Sequence, residues 1–343
     1  MTLLLESEDV RAVLRMRDCI DALEQAFRDY ADGRAVNRPR SHTYTDLGGG
    51  RHYLLKSMDG GLESFGVHAL RLSSDLTYEH DGRRDKIPAA PGDRYVGLVL
   101  LFDIATLVPL AIVHDGELQR MRVGATSALA VDRLARPDAR IAGVIGAGWQ
   151  AEMQIAGLRE VRELEEVRVY APSSEKLEAF CAAHDAIPAA SARRAIEGAD
   201  IVALATNSHE PVLDGAWLAP GQHVNSVQGH ELDETTLARA DLVVVRSREQ
   251  STYHYANGHA PREAQEHKRL DAANVVELGE VVAGRAGRSS DDEITLFTGG
   301  GTGASSGLGI QFAAVAHAVF VAARLAGRGR ELPTEWFTQK EKP

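Results

Sequence analysis

Cysteine is scarce in this 343-residue sequence, which contains only Cys19 and Cys181. The two residues lie far apart and lack CxxC spacing, and no cluster of histidines and cysteines has the spacing of a zinc site. We therefore expect no metal centre. Isolated cysteines of this kind are usually small buried hydrophobic residues in a reducing compartment.

Long apolar runs and an excess of positive charge are also missing. No run reaches membrane-spanning length, and the opening Met1–Glu8 is too short and too acidic for a secretory signal peptide. The formal net charge of −11 at pH 7 argues against a general surface for nucleic acid or anionic membranes. The composition predicts a cytoplasmic globular protein that binds neither, with enough chain for two domains.

A glycine turn organises the second half of the chain. An apolar strand around Ile141–Ile145 runs into Gly146-x-Gly148-x-x-Ala151, and a helix is predicted to open at Trp149. Gly146 permits the tight turn, Gly148 lets a pyrophosphate approach the backbone, and Ala151 lets the helix pack closely on the strand. Because strand, turn, helix and second strand are all present, this stretch predicts a dinucleotide site rather than an ordinary glycine-rich turn.

Strands and helices alternate after this turn, which predicts a doubly wound parallel sheet of the α/β class, a Rossmann domain. The predicted strands are Arg140–Ile145, Glu166–Tyr170, Ile201–Ala205, His223–Val227 and Leu242–Val245. The first third is instead strand-rich behind a pair of helices, with the charged segment Tyr78–Asp93 expected to be a loop. We predict a Rossmann domain over residues 121–319 and a substrate-binding and dimerisation domain from 1–120 and 320–343.

Several short stretches of the sequence, spread over nearly the whole chain, resemble the ornithine cyclodeaminase/mu-crystallin family. The matching blocks are Asn37–Arg40, Gly97–Asp103, Met121–Ala130, Val144–Ala151, Ala205–Ser208 and Glu231–Asp233. The resemblance implies a homodimer that uses NAD(H) or NADP(H). It also implies one of three related activities in amino acid metabolism: cyclodeaminase, amino-acid dehydrogenase or imine reductase.

The resemblance assigns substrate binding to two arginines. Arg122 matches the arginine that binds the substrate carboxylate in the family, a role suited to its planar fork of donors. Arg40 matches a second arginine near the substrate. Arg38 competes with it, because the two flank Pro39 and only one can point inward.

A lysine that the family places near the substrate is absent here. Its counterpart is His68 or Arg71, depending on a shift of three residues. A histidine could carry both charge and proton, whereas an arginine keeps the charge but cannot act as an acid at neutral pH. Lys56 on the preceding strand is an alternative proton donor, and a solvated strand residue is an equally good interpretation of it.

The aspartate that cyclodeaminases of the family carry after the strand ending near Ser226 is missing as well. The loop here is shorter, and Glu231 belongs to a block that looks structural. We therefore predict hydride transfer to or from the C–N bond of a small carboxylate-bearing imino or amino acid. A cyclodeaminase and a non-enzymatic nucleotide-binding protein like the crystallin relatives are the alternatives.

Cofactor contacts are predicted from the turn and from the family blocks. The expected residues are Thr126, Gly146, Ala147, Gly148, Trp149, Gln150, Thr206, Asn207, Ser208, Val227 and Gly301, the last in a glycine-rich stretch that could also be a linker. No acid ends the second strand, while Ser173, Ser174 and Lys176 follow it. The rule for ribose recognition then favours NADP(H) over NAD(H), although Ser173 or Ser174 could simply cap a helix and Glu175 points weakly the other way.

Overall fold

The structure, a computed structural model, describes residues 1–80, 83–208, 210–249, 251–256, 275–298 and 307–341. Within these ranges the first half of the chain forms a mixed, mostly antiparallel sheet. Its strands are β1 (Thr2–Leu5), β2 (Ala35–Asn37), β3 (Ser41–Gly48), β4 (Arg51–Leu62), β5 (Val67–His80), β6 (Arg83–Ile87), β7 (Val96–Asp103), β8 (Pro109–His114), β15 (Thr252–Tyr255) and β18 (Arg330–Leu332). The order is β15-β3-β4-β5-β7-β8-β1-β18, with β2 beside β4 and β6 beside β5.

The described strands of the second half form a parallel sheet. They are β9 (Ile141–Ile145), β10 (Glu166–Tyr170), β11 (Ile187–Pro188), β12 (Ile201–Leu204), β13 (His223–Ser226), β14 (Leu242–Val245), β16 (Val275–Glu277) and β17 (Thr295–Thr298). The order β11-β10-β9-β12-β13-β17-β14-β16 reverses between β9 and β12. The carboxyl ends of these two strands are therefore the switch point at which doubly wound sheets bind ligands. The predicted fold class is confirmed.

Helices pack against the two sheets and bury the apolar faces of the strands. The described α-helices are α1 (Ser7–Val13), α2 (Met16–Ala31), α3 (Asp115–Leu134), α4 (Trp149–Val161), α5 (Ser174–Ala183), α6 (Ala192–Ile196), α7 (Glu234–Arg239), α8 (Leu278–Val282) and α9 (Gly309–Leu325). In α2, Ile20, Leu23 and Phe27 recur at helical spacing and are buried. Helix α9 packs between α2 and strands β4 and β5, which closes the core of the mixed sheet. No helix in the described ranges is long and apolar enough to cross a membrane.

Two local predictions differ from the structure, and strand β15 was not predicted. The segment Tyr78–Asp93 is not a loop throughout, because β5 continues to His80 and pairs antiparallel with β6. Strand pairing uses backbone groups, and charged side chains are well tolerated on an edge strand. The sequence predicts Ser7 as the N-cap of α1, but the structure has Glu6 in that position, and the side chain of Asp9 accepts from the Glu6 amide. Strand β15 leaves the second half of the chain and pairs in parallel with β3.

Candidate active site

The glycine turn lies at the carboxyl end of β9, between Ile145 and the start of α4. Gly146 has a φ of +120°, and a Cβ there would lie 2.3 Å from the carbonyl oxygen of Ala205. Its amide donates to the carbonyl of Tyr170 at 2.8 Å, which ties the turn to the end of β10. Glycine is therefore required by the protein's own backbone at this position.

Gly148 is different, because nothing in the described chain requires a glycine there. Its φ of −110° suits any residue and it precedes the first residue of α4, and a Cβ would meet no atom within 4 Å. This open approach to a helix N-terminus fits the pyrophosphate of a dinucleotide, which needs backbone donors at close range. Ala147 and Gln150 are partly buried beside the turn, Trp149 is exposed, and Ala151 is fully buried against the sheet.

A buried carboxylate fixes the next two strand ends. Glu231 is fully buried and accepts from the amide and hydroxyl of Thr206, at 2.6 and 2.8 Å, after β12. It also accepts from the hydroxyl of Ser226 at 3.0 Å and the amide of Gln228 at 2.9 Å, after β13. Glu231 thus joins the loops after β12 and β13, which agrees with the structural role suggested by the block match. All of these hydrogen bonds are made with groups of the chain itself.

The other cofactor candidates lie on these same loops or outside the described residues. Val227 is buried and its amide donates to Leu204 at 3.1 Å. Ser208 donates from its amide to the Thr206 hydroxyl at 3.2 Å, and Asn207 lies between them. Gly301 lies outside the described residues. The loops therefore place Thr206, Asn207, Ser208 and Val227 at the carboxyl edge of the sheet, on the side of the glycine turn.

The loop after β10 carries no acid before α5 begins. Ser173 caps α5, accepting from the amide of Lys176 at 3.4 Å, and Ser174 is the first helical residue. Both serines and Lys176 are exposed. The helix-cap interpretation of Ser173 is thus correct, and it is compatible with a phosphate at the same helix N-terminus.

Arg122 on α3 lies at the meeting point of the two halves of the chain. It is fully buried and donates to the Gln119 side chain at 2.8 Å and to that of Gln311 at 3.4 Å. Its guanidinium lies over the ring of Phe312, 5.2 Å from the centroid. Thr126, one turn on, donates its hydroxyl to the Arg122 carbonyl at 2.6 Å.

Arg71 reaches the same ring from β5. Its guanidinium is also 5.2 Å from the Phe312 centroid, and it forms an ion pair with Asp115 at 2.6 Å. The structure therefore brings Arg71 and Arg122 together across Phe312. His68, three residues before Arg71, lies on the opposite face of β5 and is exposed, so it is not brought to this group.

Lys56 lies on the inner face of β4, two register positions from the Met58–Arg71 pair. Its side chain is 14% exposed and its Nζ is 3.6 Å from the carboxylate of Asp75. The directly opposed residue on β3 is His42, which is buried. A solvated position for Lys56 is therefore excluded, because the lysine lies in a buried polar row that leads to the arginines.

Arg40 and Arg38 point in different directions, as expected of residues that flank a proline. Arg38 forms an ion pair with Asp59 and its side chain is 52% exposed. Arg40 lines a small pocket with Arg246, Gly307 and Leu308. The structure thus groups Arg40, and not Arg38, with the buried arginines.

The charges in this group act on one another. Burial, followed by repulsion from Arg246, Arg40 and Arg71, pushes the pKa of Arg122 well below its usual value. Repulsion of this kind would be relieved by an anion, so the group is electrostatically suited to bind a carboxylate.

Sequence reasoning missed three members of the group: Arg246, Gln311 and Phe312. Arg246 directly follows β14, and the end of a buried parallel strand was the signal that could have indicated it. Gln311 and Phe312 lie in the first turn of α9, within an apolar helix pattern that gives no such signal.

Comparison with known proteins identifies the family of the chain. The sequence profile of the ornithine cyclodeaminase/mu-crystallin family matches residues 1–327. The alanine dehydrogenase of Archaeoglobus fulgidus is 31% identical over 333 residues, 93% of this chain and 94% of that protein. A Δ1-pyrroline-2-carboxylate reductase of Bacillus cereus is 29% identical over 310 residues, 86% and 90% of the two chains. The structure of the Thermococcus litoralis Δ1-pyrroline-2-carboxylate reductase with NADH and L-proline has a TM-score of 0.76 at 30% identity and covers 96% of this chain and 100% of that one.

Proposed function

The chain belongs to the ornithine cyclodeaminase/mu-crystallin family, and on this premise we propose that it is an NAD(P)H-dependent oxidoreductase. It acts on the C–N bond of a small imino or amino acid, as an imine reductase or an amino-acid dehydrogenase. The observation that carries the proposal is the direct packing of the arginine-bearing helix against the helix of the glycine turn. A Cβ on Gly124 of α3 would lie 2.4 Å from the carbonyl oxygen of Met153 on α4, so the two helices are in backbone contact.

The nicotinamide dinucleotide would be held at the carboxyl edge of the parallel sheet. The Gly146–Ala151 turn and the N-terminus of α4 would take the pyrophosphate, and the loops after β12 and β13 would flank the nicotinamide half. When bound, the nicotinamide supplies a hydride to the carbon of a C=N bond or accepts one from a CH–NH group. Everything else in the conversion depends on side chains of this chain.

Arg122 and Arg40 bind the substrate carboxylate in this proposal. Arg122 is held in place by Gln119 and Gln311, so its orientation is set before a substrate arrives. Arg71 is already paired with Asp115. Its proposed contribution is to position the ring of Phe312 and to add positive charge near Arg122, rather than to bind the substrate directly.

Lys56 is the proposed proton donor. The substrate nitrogen gains one proton when the imine is reduced and loses one in the reverse direction. Lys56 lies on the inner face of β4, and its ion pair with Asp75, a carboxylate that Lys86 also contacts, keeps the ammonium oriented. His68 lies on the other face of β5, which makes it the weaker of the two candidates.

The finer assignments extend this proposal. NADPH is the preferred cofactor, because β10 ends at Tyr170 without an acid to bond the ribose 2′-hydroxyl. A homodimer in the cytoplasm is the proposed form of the enzyme. The segment after Ser226 contains no aspartate before Asp233, and the internal bonds of Glu231 occupy the one nearby carboxylate, which speaks against a cyclodeaminase.

The test is a turnover assay with a panel of α-imino acids, including Δ1-pyrroline-2-carboxylate, with NADPH and NADH in parallel. We expect oxidation of the reduced nicotinamide that depends on the imine and no formation of proline and ammonia from ornithine. Proline and ammonia from ornithine at a rate comparable to imine reduction would support a cyclodeaminase instead. Tight cofactor binding without turnover of any panel member would support a non-enzymatic binding protein.

A further inference from the structure

Arg246 is a buried charge that the proposed reaction does not use. It follows β14 directly and only 5% of its surface is exposed. It lines the pocket with Arg40, Gly307 and Leu308, and it lies close enough to Arg122 to lower the pKa of that residue. Its position is therefore inside the candidate site, on the side of β14.

Nothing in the described ranges neutralises this guanidinium. Its Nε has no hydrogen-bond partner among the described residues, and burial is the only influence on its pKa, with no contribution from a described carboxylate. Glu249, which lines the same pocket, instead accepts from the side chain of Asn37. Burial alone lowers the pKa of Arg246 to about 10, so it remains charged at neutral pH.

A buried, unpaired arginine costs folding free energy, because a desolvated charge needs a counter-charge. Such a cost is retained where the group serves a ligand. Arg122 and Arg40 together can bind one substrate carboxylate, and Arg246 then remains as an additional positive charge that lines the same pocket as Arg40. A second anionic group on the substrate would be complementary in charge to Arg246.

We propose that Arg246 binds a second carboxylate, on the substrate side chain, and that the enzyme therefore prefers imines of 2-oxodicarboxylic acids over those of monocarboxylic acids. This inference rests on the proposed function, since it names the substrate class of the same site. It assigns Arg246 a role in specificity, separate from the α-carboxylate clamp.

The test compares two imines made with methylamine, one from 2-oxoglutarate and one from 2-oxopentanoate, which has the same chain length without the second carboxylate. The quantity measured is the ratio of kcat/KM for the dicarboxylate to that for the monocarboxylate. We expect the parent to favour the dicarboxylate and Arg246→Met to lower the ratio by at least about 30-fold, the loss typical of a broken buried charge pair. Arg246→Lys should restore part of it.

Arg248→Met is the matched control, because Arg248 is exposed and donates to the carbonyl of Val275 at 2.5 Å. It removes one positive charge two residues away and should leave the ratio unchanged. The melting temperature separates a structural role from a binding role: Arg246→Met should keep or raise it, since an unpaired buried charge is removed.

Equal losses on both imines would overturn the proposal, because Arg246 would then belong to the α-carboxylate clamp. A parent preference for the monocarboxylate, or a lower melting temperature in Arg246→Met with an unchanged ratio, would also overturn it. If the parent reduces no imine, the proposed function fails, and the second-carboxylate site is tested separately by binding. Stabilisation of the NADPH-loaded protein by 2-oxoglutarate that disappears in Arg246→Met supports the site, and its persistence in that variant overturns it.

Discussion

Arg122 is fully buried and its pKa is well below the usual value. Its removal should therefore weaken substrate binding and leave cofactor binding nearly unchanged. Arg122→Ala leaves the substrate carboxylate without its partner, so kcat/KM for an α-imino acid should fall by the equivalent of roughly 2–5 kcal/mol. Arg122→Lys keeps the charge but loses the planar fork and should recover only part. The dissociation constant for NADPH, measured by fluorescence titration, should barely change in either variant, since the glycine turn binds the phosphates.

Arg133→Ala is a suitable control for Arg122→Ala on the same helix. Arg133 pairs with Glu24 at 2.8 Å near the surface, where such pairs contribute little. If Arg122→Ala retains near-parent kcat/KM while cofactor binding is intact, the substrate is not held through its carboxylate at this residue, and the assignment is wrong.

Ser173 is the position at which the predicted preference for NADPH can be tested. Ser173→Asp should reverse the order of affinities from NADPH over NADH to NADH over NADPH, because the new carboxylate repels a 2′-phosphate and bonds a 2′-hydroxyl. Aspartate caps helices as well as serine does, so the bond to the amide of Lys176 survives. Ser173→Asn, a neutral cap, is the control and should keep the parent order. Tighter binding of NADH than of NADPH by the parent would contradict the prediction.

Single residues were predictable from sequence where a local pattern constrains them. Arg122 and Arg40 lie in family blocks, and both are found in the buried group. The choice between His68 and Arg71 was not predictable, because it depends on which face of β5 turns inward. Arg246 was missed although it directly follows a buried parallel strand, because that position indicates only the ligand-binding edge of the sheet. Its closeness to Arg40 and Arg122, each more than a hundred residues away in the chain, becomes visible only in the fold.

The glycine turn between β9 and α4 allows a matched test at the scale of one element. Gly148→Ala should leave the melting temperature unchanged, because a Cβ there meets no protein atom within 4 Å, yet it should weaken dinucleotide binding by at least about tenfold if the pyrophosphate approaches the backbone. Gly146→Ala should instead destabilise the fold, since its Cβ would lie 2.3 Å from the carbonyl of Ala205.

Thermal melting and cofactor titration of both variants separate the two roles. Unchanged NADPH affinity in a well-folded Gly148→Ala protein would show that the pyrophosphate does not approach at this position. A Gly146→Ala protein that melts with the parent would show that the turn can relax.

Elements with strong apolar periodicity were predictable, and those defined only by pairing were not. Helices α2 and α3 follow from apolar spacing, with ends displaced by a few residues. The same is true of five strands of the parallel sheet, β9, β10, β12, β13 and β14, whereas β11 and β16 were not predicted. The pairing of β5 with β6 was missed because most residues of β6 are charged and Pro88 and Pro91 follow the strand. The pairing of β15 with β3 was missed because Thr252–Tyr255 has no partner near it in sequence.

At the scale of the whole molecule, one buried histidine links stability to pH. His223 is fully buried between Thr295 and Asn225, and burial lowers its pKa from 6.5 to about 3. The unfolded chain binds a proton below pH 6.5 and the folded protein does not. The free energy of unfolding should therefore fall by up to about 1.4 kcal/mol per pH unit as the pH drops from 6.5 towards 3.

Urea unfolding between pH 7 and pH 4 measures this slope. His223→Gln cannot take up the proton, so it should start less stable at pH 7 but show a shallower slope. His68→Gln changes an exposed histidine and should keep the parent slope. A His223→Gln protein with the full parent slope would assign the acid sensitivity to other groups.

The outer face of the mixed sheet carries exposed apolar side chains on neighbouring strands. Leu55, Ser74 and Val96 form one row across three strands, and Tyr53 and Leu76 form part of the next. Tyr53, Leu55 and Val96 are each between 37% and 38% exposed, so apolar side chains on neighbouring strands face solvent in a single chain. Contiguous apolar surface of this kind is characteristic of an interface.

We expect a homodimer through this face, which analytical ultracentrifugation of the parent should show at micromolar concentration. Leu55→Glu would bury a charge against the partner and should shift the equilibrium to monomer. Leu325→Glu makes the same change at an exposed leucine at the end of α9, away from this face, and should leave the dimer intact. A monomeric parent, or a dimer that survives Leu55→Glu but not Leu325→Glu, would place the interface elsewhere.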